Sequence, residues 1–163
     1  MKRIFLNLCL WISCAGFAEG IQGFWKTINE EGVAQSIIAI YPYQGLYYGR
    51  IIATFDENVK IKDSIYHPVE RAPGVVGNPY YSGLDIIWYL EDRGIKYKGK
   101  ILDPQKGNVY NAELWIENGN LIVRGKLLMF GRNQEWLPVA NSDFPKDFKV
   151  PDLNTFVPTI PQT

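Results

Sequence analysis

The chain has 163 residues, enough for one domain, and its 17 basic and 17 acidic residues give a formal net charge of zero. This balance excludes the strongly basic surface with which proteins hold nucleic acid. The single histidine, His67, excludes a zinc site built from two or three histidines. Aromatic residues make up 14% of the chain, a content that favours half-buried pleated strands.

The first eighteen residues have the layout of a secretory signal peptide. A basic start at Lys2 and Arg3 precedes an almost wholly apolar run over residues 4–16. Gly16 and Ala18 then supply the small residues that a signal peptidase requires before its cut. The apolar run is too short for a membrane-spanning helix, which needs about 20 residues. We therefore predict an exported, periplasmic protein whose mature chain has no transmembrane segment.

Cleavage after residue 18 changes the inventory of the mature chain. It removes Cys9 and Cys14, so we expect no disulfide, thiolate zinc site or cysteine nucleophile. It also leaves two more acidic than basic residues. An alternative is cleavage before Cys14, which would make that residue a lipidated N-terminus and anchor the protein to a membrane. Trp11 at the −3 position argues against this alternative.

Apolar runs separated by turn signals about every ten residues extend over residues 19–139, a spacing typical of a sandwich or barrel. Asn118-Gly119 is the strongest hairpin signal. The predicted strands cover residues 23–28, 34–41, 46–55, 84–90, 95–102, 108–117, 121–129 and 134–139. Short connections make neighbouring strands antiparallel. The predicted fold is all-β, a single antiparallel up-and-down β-barrel of about eight strands, which leaves no exposed edge.

Side chains alternate in character along two of these strands, as expected when one face is buried. Ile95, Tyr97, Gly99 and Ile101 share one predicted face, opposite Lys96, Lys98 and Lys100. Tyr110, Ala112, Leu114 and Ile116 oppose Asn111, Glu113, Trp115 and Glu117. We interpret the lysine stripe as a solvated strand face that guards against sheet stacking, with contact to anionic lipid or an acidic partner as the alternative.

Two segments lack this rhythm. Residues 56–82 form a long connection, which in a compact domain is usually a functional or a disordered loop. The connection could also contain one short strand near residues 58–65. Residues 140–163 contain four prolines and no alternation. They are predicted to form an extended tail that either wraps the domain or extends into solvent.

Three elements carry a resemblance to a known family. They are Gly23-Phe24-Trp25, the run Gly99-Lys100-Ile101-Leu102-Asp103-Pro104-Gln105-Lys106-Gly107-Asn108-Val109-Tyr110, and Val123-Arg124-Gly125 with Phe130-Gly131-Arg132-Asn133-Gln134-Glu135-Trp136. From about residue 23 to 139 the chain resembles DUF2147, an exported bacterial family of unknown function. The resemblance implies a small β-barrel with lipocalin-like features and no established reaction.

The opening Gly-x-Trp also resembles the first strand of lipocalins. There the tryptophan packs on an arginine from the last strand, an arrangement that cation–π attraction favours. The resemblance implies that Gly23, Trp25 and Trp136 close this barrel with Arg124 or Arg132. The family tends to place a basic residue two positions after the closing tryptophan. This chain has Pro138 at that position instead.

The sequence favours a non-catalytic binder of a small apolar or amphipathic ligand, without a cofactor or metal. A barrel of eight strands is just wide enough to hold one small ligand or to be filled by side chains, and tyrosines suit such interiors. The candidate ligand-binding residues are Tyr47, Asp85, Trp88, Tyr97 and Tyr110.

Two alternatives remain open. A packed barrel would leave the long loop and the tail to bind an envelope protein or polymer. A hydrolase would use the carboxylates of Asp85 or Glu113. The sequence contains no Gly-x-Ser-x-Gly element that would supply a nucleophile for His67. His67 is therefore interpreted as a surface histidine.

Overall fold

A computed structural model describes residues 20–125 and 133–163. The predicted signal peptide, the lipidation alternative at Cys14 and the side chain of Arg132 lie outside the described residues. The described residues form nine β-strands. They are β1 (Gly23–Ile28), β2 (Ala34–Tyr43), β3 (Leu46–Phe55), β4 (Ile61–Ser64), β5 (Asp85–Asp92), β6 (Tyr97–Asp103), β7 (Asn108–Glu117), β8 (Asn120–Gly125) and β9 (Gln134–Val139). Two single 3₁₀ turns follow, at Asn141–Asp143 and Leu153–Thr155.

Eight of these strands close into an antiparallel barrel in the order β1-β2-β3-β5-β6-β7-β8-β9, and β9 pairs with β1 to complete it. The predicted fold class is therefore confirmed. The long connection does contain a short strand near residues 58–65: it is β4, which pairs with the end of β3 outside the closed ring.

Two hairpin turns differ from the prediction. The strand predicted over residues 34–41 continues through Pro42 and Tyr43, so the turn that follows is only Gln44-Gly45 and not residues 42–45. Both of its residues have positive φ. Such two-residue turns match the twist of paired strands. Likewise β5 continues to Asp92, beyond the predicted end at residue 90, so the next turn covers residues 93–96. Ile95 lies in that turn and is 89% exposed, so its predicted place on the inward face was wrong.

Gly99 on β6 lies close to the backbone of β5. A Cβ atom there would lie 2.7 Å from the Trp88 carbonyl oxygen and 2.8 Å from that of Tyr89. Tyr89 itself has a φ of 55°, and the pairing register shifts at this place. A bulge of this kind bends a strand and increases its twist, which helps the barrel to close.

The two ends of the barrel differ. At one end, turns of two to four residues join the strands, and fully buried Ile21 packs with Leu90, Leu114 and Leu121 in the core. At the other end lie residues 56–84, which join β3 to β5, and the turn of residues 104–107. The second end is where the barrel interior can be reached.

The tail wraps the domain. Its aromatic residues Phe144, Phe148 and Phe156 cover an apolar outer face of β1, β2 and β3. The Tyr66 hydroxyl donates to the Lys149 carbonyl at 2.6 Å, and the Val76 amide donates to the Gln162 carbonyl at 2.8 Å. The tail therefore contacts both the barrel and the long loop.

Candidate functional site

A cavity of about 950 Å³ lies at the end of the barrel that carries residues 56–84. Its walls come from β1, β2, β3, β5, β6, β7 and β9, together with the long loop. Ligand pockets for small molecules have volumes of roughly 300–1,000 Å³. The cavity is therefore large enough for one small molecule.

The deeper wall of the cavity is apolar. Ile38, Ile51, Ile86 and Ile101 line it together with Trp136, and each of them is buried. Ile38 lies opposite Ile51 across the β2–β3 pair, so both side chains project from the same face of the sheet. The Trp136 indole N–H donates to the Gln134 side-chain oxygen at 3.0 Å. This bond satisfies the polar group of Trp136 and leaves its rings as apolar surface.

A row of hydroxyl side chains crosses three neighbouring strands at the cavity. Thr27 on β1 lies opposite Ser36 on β2, which lies opposite Thr54 on β3. The first two hydroxyls are 2.7 Å apart and hydrogen-bonded. The Thr54 hydroxyl, in a residue only 9% exposed, has no hydrogen-bond partner among the described residues.

Tyr81 brings a second buried hydroxyl to the same cavity from the long loop. Burial raises the pKa of Tyr81, although the neighbouring Gln105 side chain opposes this effect. The Tyr81 hydroxyl has no hydrogen-bond partner among residues 20–125 and 133–163. Tyr81 therefore stays protonated at neutral pH and is able both to donate and to accept.

Charged side chains surround the mouth in compensated positions. Lys62 donates to Glu70 at 2.9 Å. The Arg71 guanidinium lies 3.5 Å from the centre of the Tyr80 ring. The Asp103 carboxylate accepts from the backbone amides of residues 105 and 106. Two cations and two anions among the described lining residues leave no net charge there.

The five candidate ligand-binding residues separate in the fold. Tyr110 lines the cavity. Tyr47 and Tyr97 lie at the opposite end of the barrel, where their rings meet edge to face at 5.5 Å. Trp88 is buried in the core and does not line the cavity.

Asp85, the fifth candidate, lies on the outer face of the barrel beneath the tail. Its carboxylate accepts from Arg50 Nη2 at 2.8 Å, from the Tyr41 hydroxyl at 2.7 Å and from the Thr159 amide at 2.8 Å. Burial, followed by the bond to Asp85, raises the pKa of Tyr41. This cluster joins the tail to β2, β3 and β5.

The residues expected to close the barrel are also placed differently. Gly23 begins β1 and Trp25 is buried, but the Trp25 indole N–H donates to the Ile21 carbonyl at 2.8 Å. Arg124 lies on the outer surface, 5.2 Å from the Trp115 ring centre and bonded to Asn133. The expected contact between Trp25 and Arg124 was therefore wrong, because Arg124 projects from the outward face of β8. Backbone pairing of Trp25 with Pro138 closes the barrel.

Glu113, the other carboxylate considered for hydrolysis, also lies on the outward face. Its oxygens are 3.6 Å from Lys96 and 3.6 Å from Lys98. Neither Glu113 nor Asp85 lines the cavity. Sequence reasoning missed Thr54, which lies beside the start of the long connection. It considered Tyr81 only as one of several tyrosines that could line the barrel or fill its core, and not as a candidate ligand-binding residue.

Over residues 20–125 and 133–163, no group of three or more His, Cys, Asp and Glu side chains is arranged to hold a metal ion. The same residues contain no helix that is long and apolar enough to cross a membrane. His67 is exposed in a turn after β4.

Fold and cavity together define a lipocalin-like β-barrel. The structure is similar to that of protein HP1028 from Helicobacter pylori, which is described as belonging to the lipocalin family. The TM-score is 0.59 at 14% identity, and the match covers 76% of this chain and 86% of the other.

A family model narrows this class further. The model of DUF2147, described as an uncharacterised protein conserved in bacteria, matches residues 23–137. The chain therefore belongs to DUF2147, as the sequence elements at Gly23, Gly99 and Val123 predicted. No curated protein matches the chain.

Proposed function

We propose that this protein is an exported, non-catalytic carrier that binds one small apolar or amphipathic molecule in the cavity of its barrel. The observation that carries the proposal is the cavity of about 950 Å³ with an isoleucine wall and a hydroxyl row. Burying apolar ligand surface against such a wall is favourable by about 25 cal/mol per Å². The likeness to a lipocalin-family barrel supports the proposal through the fold alone.

A cavity-filling substitution tests binding. Ile101 lines the cavity, and Ile101→Trp would place a bulkier side chain in the space beside the isoleucine wall. Ile95→Trp is the matched control, since Ile95 is 89% exposed in a distant turn. We expect the neutral fluorescent probe N-phenyl-1-naphthylamine to bind the original chain and the control, and to bind Ile101→Trp at least about tenfold more weakly, a loss of about 1.4 kcal/mol.

A larger side chain in a packed interior costs about 1–3 kcal/mol. Thermal unfolding of both variants therefore checks that they remain folded. Absence of probe binding to the original chain would contradict the proposal. Equal affinity of both tryptophan variants would place the probe outside the cavity and would contradict it as well.

Export is the second part of the proposal, and it rests on the layout of the first eighteen residues. The test is to express the entire sequence in a bacterium, separate the cell fractions and measure the mass of the product by mass spectrometry. A periplasmic protein with the mass of residues 19–163 supports export with cleavage. A lipid-modified chain that begins at Cys14 in the membrane fraction would favour the anchored alternative. An uncut chain in the cytoplasm would contradict both.

A further inference from the structure

We infer that the bound molecule carries an uncharged hydrogen-bonding group, such as a hydroxyl, carbonyl or amide, which meets Thr54 and Tyr81 while its apolar body lies against the isoleucine wall. The inference rests on the proposed function and names the chemical class of molecule that the cavity takes.

Thr54 supplies the first observation. The residue is only 9% exposed, and its hydroxyl has no partner among the described residues. Its neighbours Thr27 and Ser36 are bonded to each other. A buried polar group without a partner destabilises the protein, and a ligand that supplies the missing hydrogen bond removes this cost. The Thr54 hydroxyl is therefore suited to fix the orientation of a bound molecule.

Tyr81 supplies an independent hydroxyl from a different segment of the chain. Its oxygen is shielded from solvent and lacks a partner in the part of the chain that the structure describes, although the residue belongs to a connection rather than to a strand. Both hydroxyls are able to donate and to accept hydrogen bonds. They therefore match neutral groups that present a lone pair, a proton or both.

Over residues 20–125 and 133–163, the charges that line the cavity favour a neutral group over a carboxylate. Lys62 is paired with Glu70, and the Arg71 guanidinium lies on the Tyr80 ring. A buried carboxylate requires a paired cation or several donors, and Thr54 and Tyr81 offer only one proton each. An ionised head group at these hydroxyls would remain undercompensated.

Three matched probes test the inference: 1-butylpyrene, 1-pyrenebutanol and 1-pyrenebutyrate. All three carry a pyrene ring on a four-carbon chain. The chain ends in a methyl group in butylpyrene, in a hydroxyl in pyrenebutanol and in a carboxylate in pyrenebutyrate. Their affinities are measured by fluorescence for the original chain, Thr54→Val and Tyr81→Phe. The control is Tyr89→Phe, since Tyr89 is 52% exposed and does not line the cavity.

Each of the two cavity variants is expected to weaken pyrenebutanol by about three- to tenfold and to change butylpyrene by less than about twofold. The melting temperature of the empty Thr54→Val protein is expected to stay constant or to rise, because the variant removes an unsatisfied group.

Equal effects on the two probes, or no effect on either, would overturn the inference while leaving the proposed function intact. Preferential, salt-sensitive binding of pyrenebutyrate would overturn it in favour of an anionic ligand. Failure of all three probes to bind would instead count against the proposed function.

Discussion

Asp85 illustrates how the role of a single residue depends on the face from which it projects. Its carboxylate is 1% exposed and accepts hydrogen bonds from Arg50, Tyr41 and Thr159. The Arg50 guanidinium also donates to the Val157 carbonyl at 2.7 Å and lies 4.7 Å from the centre of the Phe156 ring. An ionised pair buried in this way requires every one of its partners.

Asp85→Asn is expected to lower the free energy of unfolding by about 3 kcal/mol, because it leaves the buried Arg50 without its counter-charge. The value is near the lower end for buried pairs, since the Arg50 side chain is 16% exposed. Urea denaturation measures the loss.

The matched control for that measurement is Glu91→Gln, which breaks an ion pair with Arg93 whose side chains are more than half exposed. Its cost is expected to stay below about 1 kcal/mol. Similar small losses in both variants would show that the Asp85 cluster does not stabilise the fold.

At the scale of elements, the tail forms part of the domain. Phe156 packs edge to face on Tyr41 at 5.1 Å, and residues 157–162 bond to the barrel and to the long loop. The proline content predicted an extended segment. Whether that segment would contact the barrel depended on the apolar outer face of β2 and β3, where Ile37, Ala39 and Ile52 are buried.

Truncation after Asp152 is expected to destabilise the protein by on the order of 3 kcal/mol. It exposes the barrel surface that Phe156 covers, and it removes the Val157 carbonyl and the Thr159 amide, which bond to Arg50 and Asp85. It should also accelerate amide hydrogen exchange at Val76, whose partner is the Gln162 carbonyl. Removal of Thr163 alone is the control and should change neither quantity. Unchanged stability and unchanged exchange after the longer truncation would mean that the tail is not part of the folded unit.

At the scale of the whole molecule, tyrosines link stability to pH. Burial raises the pKa values of Tyr41, Tyr48, Tyr81 and Tyr97 above the ordinary value of 10.0. In the unfolded chain these groups lose their protons near pH 10, whereas in the folded chain they retain them. The unfolded state therefore binds fewer protons above about pH 10, and stability falls as the pH rises.

We expect the free energy of unfolding to be insensitive to these tyrosines up to about pH 9 and to fall above about pH 10, with Tyr41 alone contributing about 1.4 kcal/mol per pH unit. Urea denaturation at a series of pH values, followed with tyrosinate absorbance, measures this slope. Tyr41→Phe should reduce it, because it removes the buried hydroxyl that retains its proton. A constant free energy between pH 9 and 11 would contradict the linkage.

The strands and their neighbours were predictable because the determining signals are local. Alternation over residues 108–117 and the Asn118-Gly119 turn specify a hairpin without reference to the rest of the chain, and the structure has β7 and β8 there. The turn after Tyr43 and the position of Ile95 were mispredicted, since strand ends depend on partner strands as well as on turn residues.

The amino-acid sequence by itself determined the barrel class, the antiparallel order of its strands and membership of DUF2147, because alternation, turn residues and family motifs act within a few residues of each other. Only the tertiary structure decided which face of each strand points inward, and with it the outward positions of Asp85 and Arg124. It also formed the cavity, which Thr54 and Tyr81 line together with isoleucines from several strands. Alternation distinguishes two faces of a strand but does not say which one is enclosed, and that depends on barrel closure and on the tail that buries part of the outside.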